Sequence, residues 1–165
     1  MPIAVLADTH MPKGDRRLPD RCLKAIARAD AVIHAGDVST LAVLREIEAI
    51  APPVHAVHGN VDEAALRRLL PEALELDLDG HTIAVVHDAG PARGRLERLR
   101  RRFPEAEAAI FGHSHLPLHE SADGFQIFNP GSPTERRRAP QWSMGLLHVR
   151  SDGLHFEHVW LDCDG

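Results

Sequence analysis

Ile3-Ala4-Val5-Leu6-Ala7 is an apolar run that stops at Asp8-Thr9-His10, and the same event recurs along the chain. Ala31 to Ala35 runs into Gly36-Asp37, Val54 to Val57 into Gly59-Asn60, Thr82 to Val86 into His87, and Ala108 to Phe111 into Gly112-His113-Ser114-His115. Short apolar runs rich in β-branched residues and closed by turn formers predict buried strands. Helical patterns separate the first three: Leu18 to Arg28, Thr40 to Ile50 and Asp62 to Leu70. That alternation predicts βαβ units. Thr40 and Asp62 are N-cap types, while Pro52-Pro53 and Pro71 close the segments that follow.

After Pro71 the pattern changes. Asp79-Gly80, Asp123-Gly124 and Asp152-Gly153 each lie between strand-like runs and carry the type I′ hairpin signal, so antiparallel strands should dominate the second half. One helical segment interrupts them, Arg93 to Phe103, with Leu96, Leu99 and Phe103 on one face. The expected architecture is a mixed α/β fold, parallel strands first and hairpins later, packed as two sheets between helices. With 165 residues the chain fits one domain spanning 1–165.

Hydrophobic residues make up 44% and charged residues 26%, which argues against disorder. The net charge of -5 opposes a sequence-independent nucleic-acid partner, whose footprint would be basic; only local arginine clusters run the other way. Cys22 and Cys163 are too few and too far apart for a disulfide framework or a paired-cysteine zinc site. The amino terminus has no basic region, Asp8 interrupts its apolar run, and no apolar stretch approaches the roughly 18 residues of a membrane span. The expected location is therefore the cytoplasm, with no membrane partner. Oligomeric state is left open by the sequence.

Ligands of open α/β sheets collect in the crevice outside the carboxyl ends of the strands. Asp8, His10, Asp37, Asn60, His87, His113 and His115 should therefore converge there, although they are scattered along the chain. They supply imidazoles and oxygen ligands without a thiolate, which suits manganese, iron, zinc or nickel. Seven ligands are too many for one ion, whereas two ions sharing a bridging carboxylate use them economically in a site suited to phosphoryl chemistry. In extended backbone residues i and i+2 share a side, so His113 and His115 are expected to face one object. Gly36, Gly59 and Gly112 let the backbone turn sharply and approach closely.

Asp-x-His, Gly-Asp, Gly-Asn-x-Asp, a lone His after an apolar strand and Gly-His-x-His, in this order, resemble the calcineurin-like binuclear metallophosphoesterase superfamily. Asn129-Pro130-Gly131-Ser132 and the short length are similar to its small prokaryotic phosphodiesterase branch. The resemblance implies a four-layer αββα sandwich of two mixed sheets flanked by helices. It also implies that Asp8, His10 and His115 hold one metal, that Asn60, His87 and His113 hold the other, and that Asp37 bridges them. Two divalent ions, manganese first, are the implied cofactors, with Asp37, Asn60 and His87 as the catalytic residues. The implied reaction is hydrolysis of a small phosphoester, a phosphodiester in the first instance, by in-line attack of a hydroxide held between the ions.

The sequence departs from that pattern at Val61, where many members carry a histidine able to protonate the leaving group, and at Asp88, where glycine is usual. Asp88 would either orient His87 or face solvent. Loss of a general acid predicts a preference for esters with acidic leaving groups; His58 is a remote substitute donor. Asn129 to Ser132 reads as a turn whose amides or Ser132 could touch phosphate. Arg136 to Arg138 read as solvated charge, with attraction of an anionic substrate as the alternative. His34, His148, His155 and His158 are assigned to structure.

The competing expectation is a non-catalytic protein-interaction scaffold on the same fold, as in a relative that serves membrane-coat assembly with an impaired metal site. The full ligand set here favours the enzyme. The metallo-β-lactamase pattern His-x-His-x-Asp-His fails at Leu116-Pro117-Leu118, and neither Gly-x-Gly-x-x-Gly nor a phosphate-binding Walker loop is present.

Overall fold

The side-chain alternation of each central strand sorts one apolar run into two separate cores. From β1 (Pro2–Leu6), Ile3 and Val5 point one way while Ala4 and Leu6 point the other, and all four are fully buried. A computed structural model describes residues 1–11, 16–50 and 53–161 of the chain. Pro52 and Cys163 lie outside the described residues.

Around β1 lie β2 (Ala31–His34), β3 (Val54–Ala56), β9 (Trp142–Arg150) and β10 (Gly153–Leu161), in the order β10-β9-β1-β2-β3. β1, β2 and β3 are parallel, and β9 runs antiparallel to both β1 and β10. The second sheet has the order β4-β5-β6-β8-β7, from β4 (Ala73–Leu78), β5 (His81–Val86), β6 (Ala108–Ile110), β7 (Leu118–Ala122) and β8 (Phe125–Asn129). Antiparallel pairing dominates after Pro71 as expected, at β4/β5, β7/β8, β9/β10 and β1/β9, but β5, β6 and β8 are mutually parallel, with the hairpin partners β4 and β7 running the other way. A local turn signal specifies the hairpin, not how hairpins join the sheet.

The result is the four-layer αββα sandwich. Ile3, Val5 and Ile33 meet Ile83, Val85, Ile110 and Phe128 between the sheets. Ala4, Leu6 and Val32 pack against Ile26 of α1 (Asp20–Arg28), Leu44 and Ile47 of α2 (Leu41–Ile50), and Leu66 of α3 (Ala64–Leu69). On the opposite outside face Ala84, Val86 and Ile127 cover Leu99 of α4 (Arg95–Arg102) and Phe103 just beyond it. Truncating Leu99 to alanine in that contact would cost about 2–5 kcal/mol. Among the described residues no helix is long and apolar enough to cross a membrane.

Local signals explain most boundaries. Thr40 caps α2, its Oγ1 accepting the Val43 amide at 3.3 Å. α1 starts at Asp20 and not Leu18, because the residue before Pro19 is disfavoured in helical backbone. Asp79 and Gly80 (φ 53° and 85°) and Asp123 and Gly124 (φ 51° and 80°) form the expected positive-φ hairpin turns. The third hairpin differs: Arg150 pairs with Gly153, so Ser151 and Asp152 form the turn, and the positive φ falls on Gly153.

Candidate metal centre

Five of the seven candidate ligands leave their strands through left-handed backbone: Asp8 (φ 55°), His10 (45°), Asp37 (62°), His113 (75°) and His115 (64°). Non-glycine residues rarely adopt such φ, and each costs on the order of 1–3 kcal/mol, held only where surrounding bonds over-determine it. Those bonds stitch the strand ends together. The Asp8 amide donates to the Gly36 carbonyl at 2.9 Å, the His10 amide to the Asp37 carbonyl at 3.0 Å, and the Gly112 amide to the His87 carbonyl at 2.9 Å. The His113 amide donates across to Asp8 Oδ2 at 2.9 Å, so the carboxyl ends of both sheets share one rim.

On that rim Asp8 Oδ1 lies 3.6 Å from Nε2 of His115, 3.8 Å from Nε2 of His10 and 3.9 Å from Nε2 of His87. Asp37 Oδ2 lies 3.1 Å from Nε2 of His87 and 3.5 Å from Nε2 of His10. Two close groups result, Asp8-His10-His115 and Asp8-Asp37-His87, with Asp8 common to both and every member buried. Asn60 joins the second through its Oδ1, 3.0 Å from Nε2 of His87. His113 belongs to neither: it is exposed, and its ring stands edge-on to His87 with centroids 5.3 Å apart.

Asp8 Oδ1, His10 Nε2 and His115 Nε2 are buried with no hydrogen-bond partner among the described residues. An unsatisfied buried polar atom costs about 1–3 kcal/mol, so three facing one another are anomalous unless a common cation satisfies them. Two imidazoles and a carboxylate are a donor set for a borderline divalent ion, and the group fits one. Residues 1–152 match the calcineurin-like phosphoesterase superfamily domain.

The chain belongs to the calcineurin-like phosphoesterase superfamily.

Its sequence is 31% identical over 161 residues to a probable metallophosphoesterase of Methanothermobacter thermautotrophicus, covering 96% of this chain and 92% of that one. It is 25% identical over 147 residues to a phosphodiesterase of Methanocaldococcus jannaschii, covering 79% and 83%. In fold it is similar to Vps29 of Entamoeba histolytica complexed with Zn2+, with a TM-score of 0.78 at 22% identity over 97% of this chain and 99% of that one. Membership of the calcineurin-like superfamily implies a metallophosphoesterase, a hydrolase that uses divalent metal ions.

The electrostatics of this calcineurin-like site centre on His87. Burial alone would lower its pKa, but the hydrogen bond to Asp37 and the charges of Asp8 and Asp37 outweigh it and push the imidazole up to about 9. Burial would likewise raise Asp37, yet His87 holds it below its ordinary value. Beneath them His34 is fully buried and pushed down to about 3, chiefly by that burial. Its Nδ1 accepts the Gly36 amide at 3.1 Å, so the proton sits on Nε2 and donates to Thr9 Oγ1 at 3.1 Å. Thr9 Oγ1 passes the chain on to the Asp37 carbonyl at 3.4 Å. His34 is structural, as its apolar context suggests.

Several sequence readings need correction. The segment from Gly112 to His115 is a loop, not extended backbone, and positive φ at both histidines cancels the alternation. His115 therefore turns inward to Asp8 and His10 while His113 turns outward beside His87. Asp62 does not cap α3, whose N-cap is Glu63. Its buried carboxylate instead accepts the amides of Asp37 (3.1 Å), Ser39 (2.7 Å) and Gly59 (2.7 Å), binding two ligand loops together. Ser132 is not free for phosphate, since its Oγ donates to the Asp8 carbonyl at 2.8 Å and accepts the Glu135 amide at 2.8 Å. Of the two readings of Asp88 the solvent-facing one holds: it is exposed and closes a turn onto the Gly90 amide at 2.9 Å, while His87 Nδ1 donates to the Ala35 carbonyl at 2.8 Å. Of the arginines at 136 to 138, Arg136 stacks on Trp142 and donates to the Ala139 carbonyl, whereas Arg137 approaches Glu135 beside the site.

Glu135 carried no signal in the sequence, standing in an arginine-rich loop. A cleft of about 190 Å³, lined by His58, Arg67, Glu72 and Asp88, opens beside Asn60 and His87.

Proposed function

We propose that this protein is a phosphodiesterase that works with two divalent metal ions, manganese first, in the cytoplasm. The observation that carries the reading is the set of three buried, unsatisfied atoms on Asp8, His10 and His115, adjoined by the Asp37-His87-Asn60 group. In this reading Asp8, His10 and His115 would hold one ion and Asn60, His87 and His113 the other, with Asp37 available to both. The approach of Asp37 Oδ2 to both His10 and His87 supports the bridging role. When bound, such ions supply Lewis acidity for the phosphoryl oxygens and acidify water enough to make a nucleophile near neutral pH.

The chain's own contribution is placement. The Val61 amide donates to Asp37 Oδ1 at 2.9 Å and fixes the carboxylate, while Ala35 fixes the ring of His87. The cleft beside Asn60 is positioned to take the leaving group of a small phosphoester, with His58 on its wall. The phosphodiesterase name of the Methanocaldococcus jannaschii relative supports the diester preference. The buried thiol of Cys22, pushed up to about 12 by burial, suits a reducing compartment.

The test combines metal analysis with hydrolysis of a chromogenic phosphodiester, before and after chelation and with each divalent ion restored. The expected result is two ions per chain and activity that chelation abolishes and manganese restores. A folded, metal-free and inactive protein would instead support the protein-interaction scaffold, a reading that leaves three buried donor atoms unsatisfied.

A further inference from the structure

His10 and His115 both offer Nε2 to the point that Asp8 Oδ1 faces, and both turn Nδ1 toward one residue, Glu135. Nδ1 of His115 donates to the Glu135 backbone carbonyl. Nδ1 of His10 faces the Glu135 carboxylate at 3.8 Å, beyond a hydrogen bond but within electrostatic reach of an Nδ1–H. We propose that Glu135 is a positioning residue for the ion held by Asp8, His10 and His115, fixing His115 through its main chain and His10 through its side chain. The proposal rests on the metal-dependent reading above.

The two nitrogens of an imidazole point in different directions, so a carboxylate facing Nδ1 of His10 stands away from the point that Nε2 faces. Glu135 therefore backs the ligand and is not a ligand itself. A carboxylate or carbonyl facing Nδ1 favours the proton on that nitrogen, which leaves the Nε2 lone pair for a metal and biases the ring's orientation. Glu135 is in turn held in place from both ends. Arg16 Nη2 donates to its Oε1 at 2.9 Å, and Arg137 Nη2 lies 3.9 Å from its Oε2. Its loop is stitched to the ligand strand, because Ser132 Oγ joins the Asp8 carbonyl to the Glu135 amide and Thr134 Oγ1 donates to the Thr9 carbonyl. The carboxylate's distance from His10 is thus set by bonds to Asp8 and Thr9, the two residues that precede His10. Arg16 and Arg137 also offset its charge, so the loop adds orientation without further negative charge at the ion.

Main-chain and side-chain roles separate by substitution, since Glu135→Ala keeps the carbonyl on His115 and removes only the group facing His10. The experiment is calorimetric titration of manganese into the chelator-stripped full chain, as wild type, E135A and E135Q, with melting temperatures of the metal-free proteins measured alongside. The expected result is one of two sites weakened about 10- to 100-fold in E135A, the range typical of lost outer partners of metal ligands, with the other site unchanged. E135Q, whose amide oxygen still faces Nδ1, should fall between E135A and wild type, and all three metal-free proteins should melt alike. An E135A isotherm that matches wild type overturns the role of Glu135 while leaving the metal-dependent reading intact. Equal weakening of both sites also overturns it. A wild-type chain that takes up no manganese sinks both.

Discussion

His87 Nε2 lies 3.1 Å from Asp37 Oδ2, and the proton that this pair shares occupies the lone pair a metal would use. With its pKa pushed up to about 9, His87 is charged in the metal-free protein at neutral pH. Each ion bound through His87 must displace that proton, so affinity should rise about tenfold per pH unit from pH 7 toward 9. Titrations of manganese between pH 6.5 and 8.5, in buffers of different ionisation enthalpy, would measure both affinity and proton release. A flat profile would count against His87 as a ligand.

His34 ties metal-free stability to pH. Burial lowers it from 6.5 to about 3, so above pH 6.5 neither state carries its proton. Below 6.5 the unfolded chain takes up a proton that the folded chain refuses, and stability falls by about 1.4 kcal/mol per pH unit until about pH 3. His34→Gln should therefore show a shallower loss than wild type between pH 6.5 and 4 in urea unfolding. Parallel curves would refute this.

Val61 is exposed at the rim, where its amide serves Asp37 but its side chain has no proton to give. Aryl phosphodiesters, whose leaving groups need no protonation, should be hydrolysed faster than alkyl ones. Val61→His should raise kcat on alkyl esters by as much as about 100-fold and leave aryl esters little changed. Steady-state kinetics on a matched aryl and alkyl pair would decide it, and equal rates on the two in the wild type would contradict the idea.

Gly59 admits no larger residue. A Cβ there would stand 2.1 Å from Asp37 Oδ1 and 2.6 Å from the Asp37 amide. Gly59→Ala should lower stability by about 1–3 kcal/mol and, by displacing Asp37, cut activity by about 100-fold. Thermal unfolding and kcat on the same preparation would separate the two effects; an active, stable variant would mean that Asp37 can move without consequence.

The layers were legible because each apolar run is local and its alternation needs no tertiary information: Ile3 and Val5 against Ala4 and Leu6 already imply two faces to cover. The site was legible as residue types at strand ends. Its supports were not. Asp62 looks like a cap because its amide partners on Asp37 and Ser39 lie 25 and 23 residues away, a separation no local pattern reports. Positive φ at His113 and His115 is equally silent in the sequence, since no Asp-Gly or Asn-Gly pair stands there to signal left-handed backbone, and so the two rings part where extended chain would align them. At the third hairpin Asp152-Gly153 carries the right letters one residue out of register.

The left-handed backbone at Asp8 and Asp37 makes the choice of knockout matter. Alanine there deletes the carboxylate and leaves a methyl group in a conformation it resists, so damage to chemistry and damage to architecture arrive together. Glycine deletes the same carboxylate and relaxes the main chain. A catalytically silent Asp37→Gly protein that outlives its parent on heating would reveal how much durability natural selection has traded for reactivity at this one position.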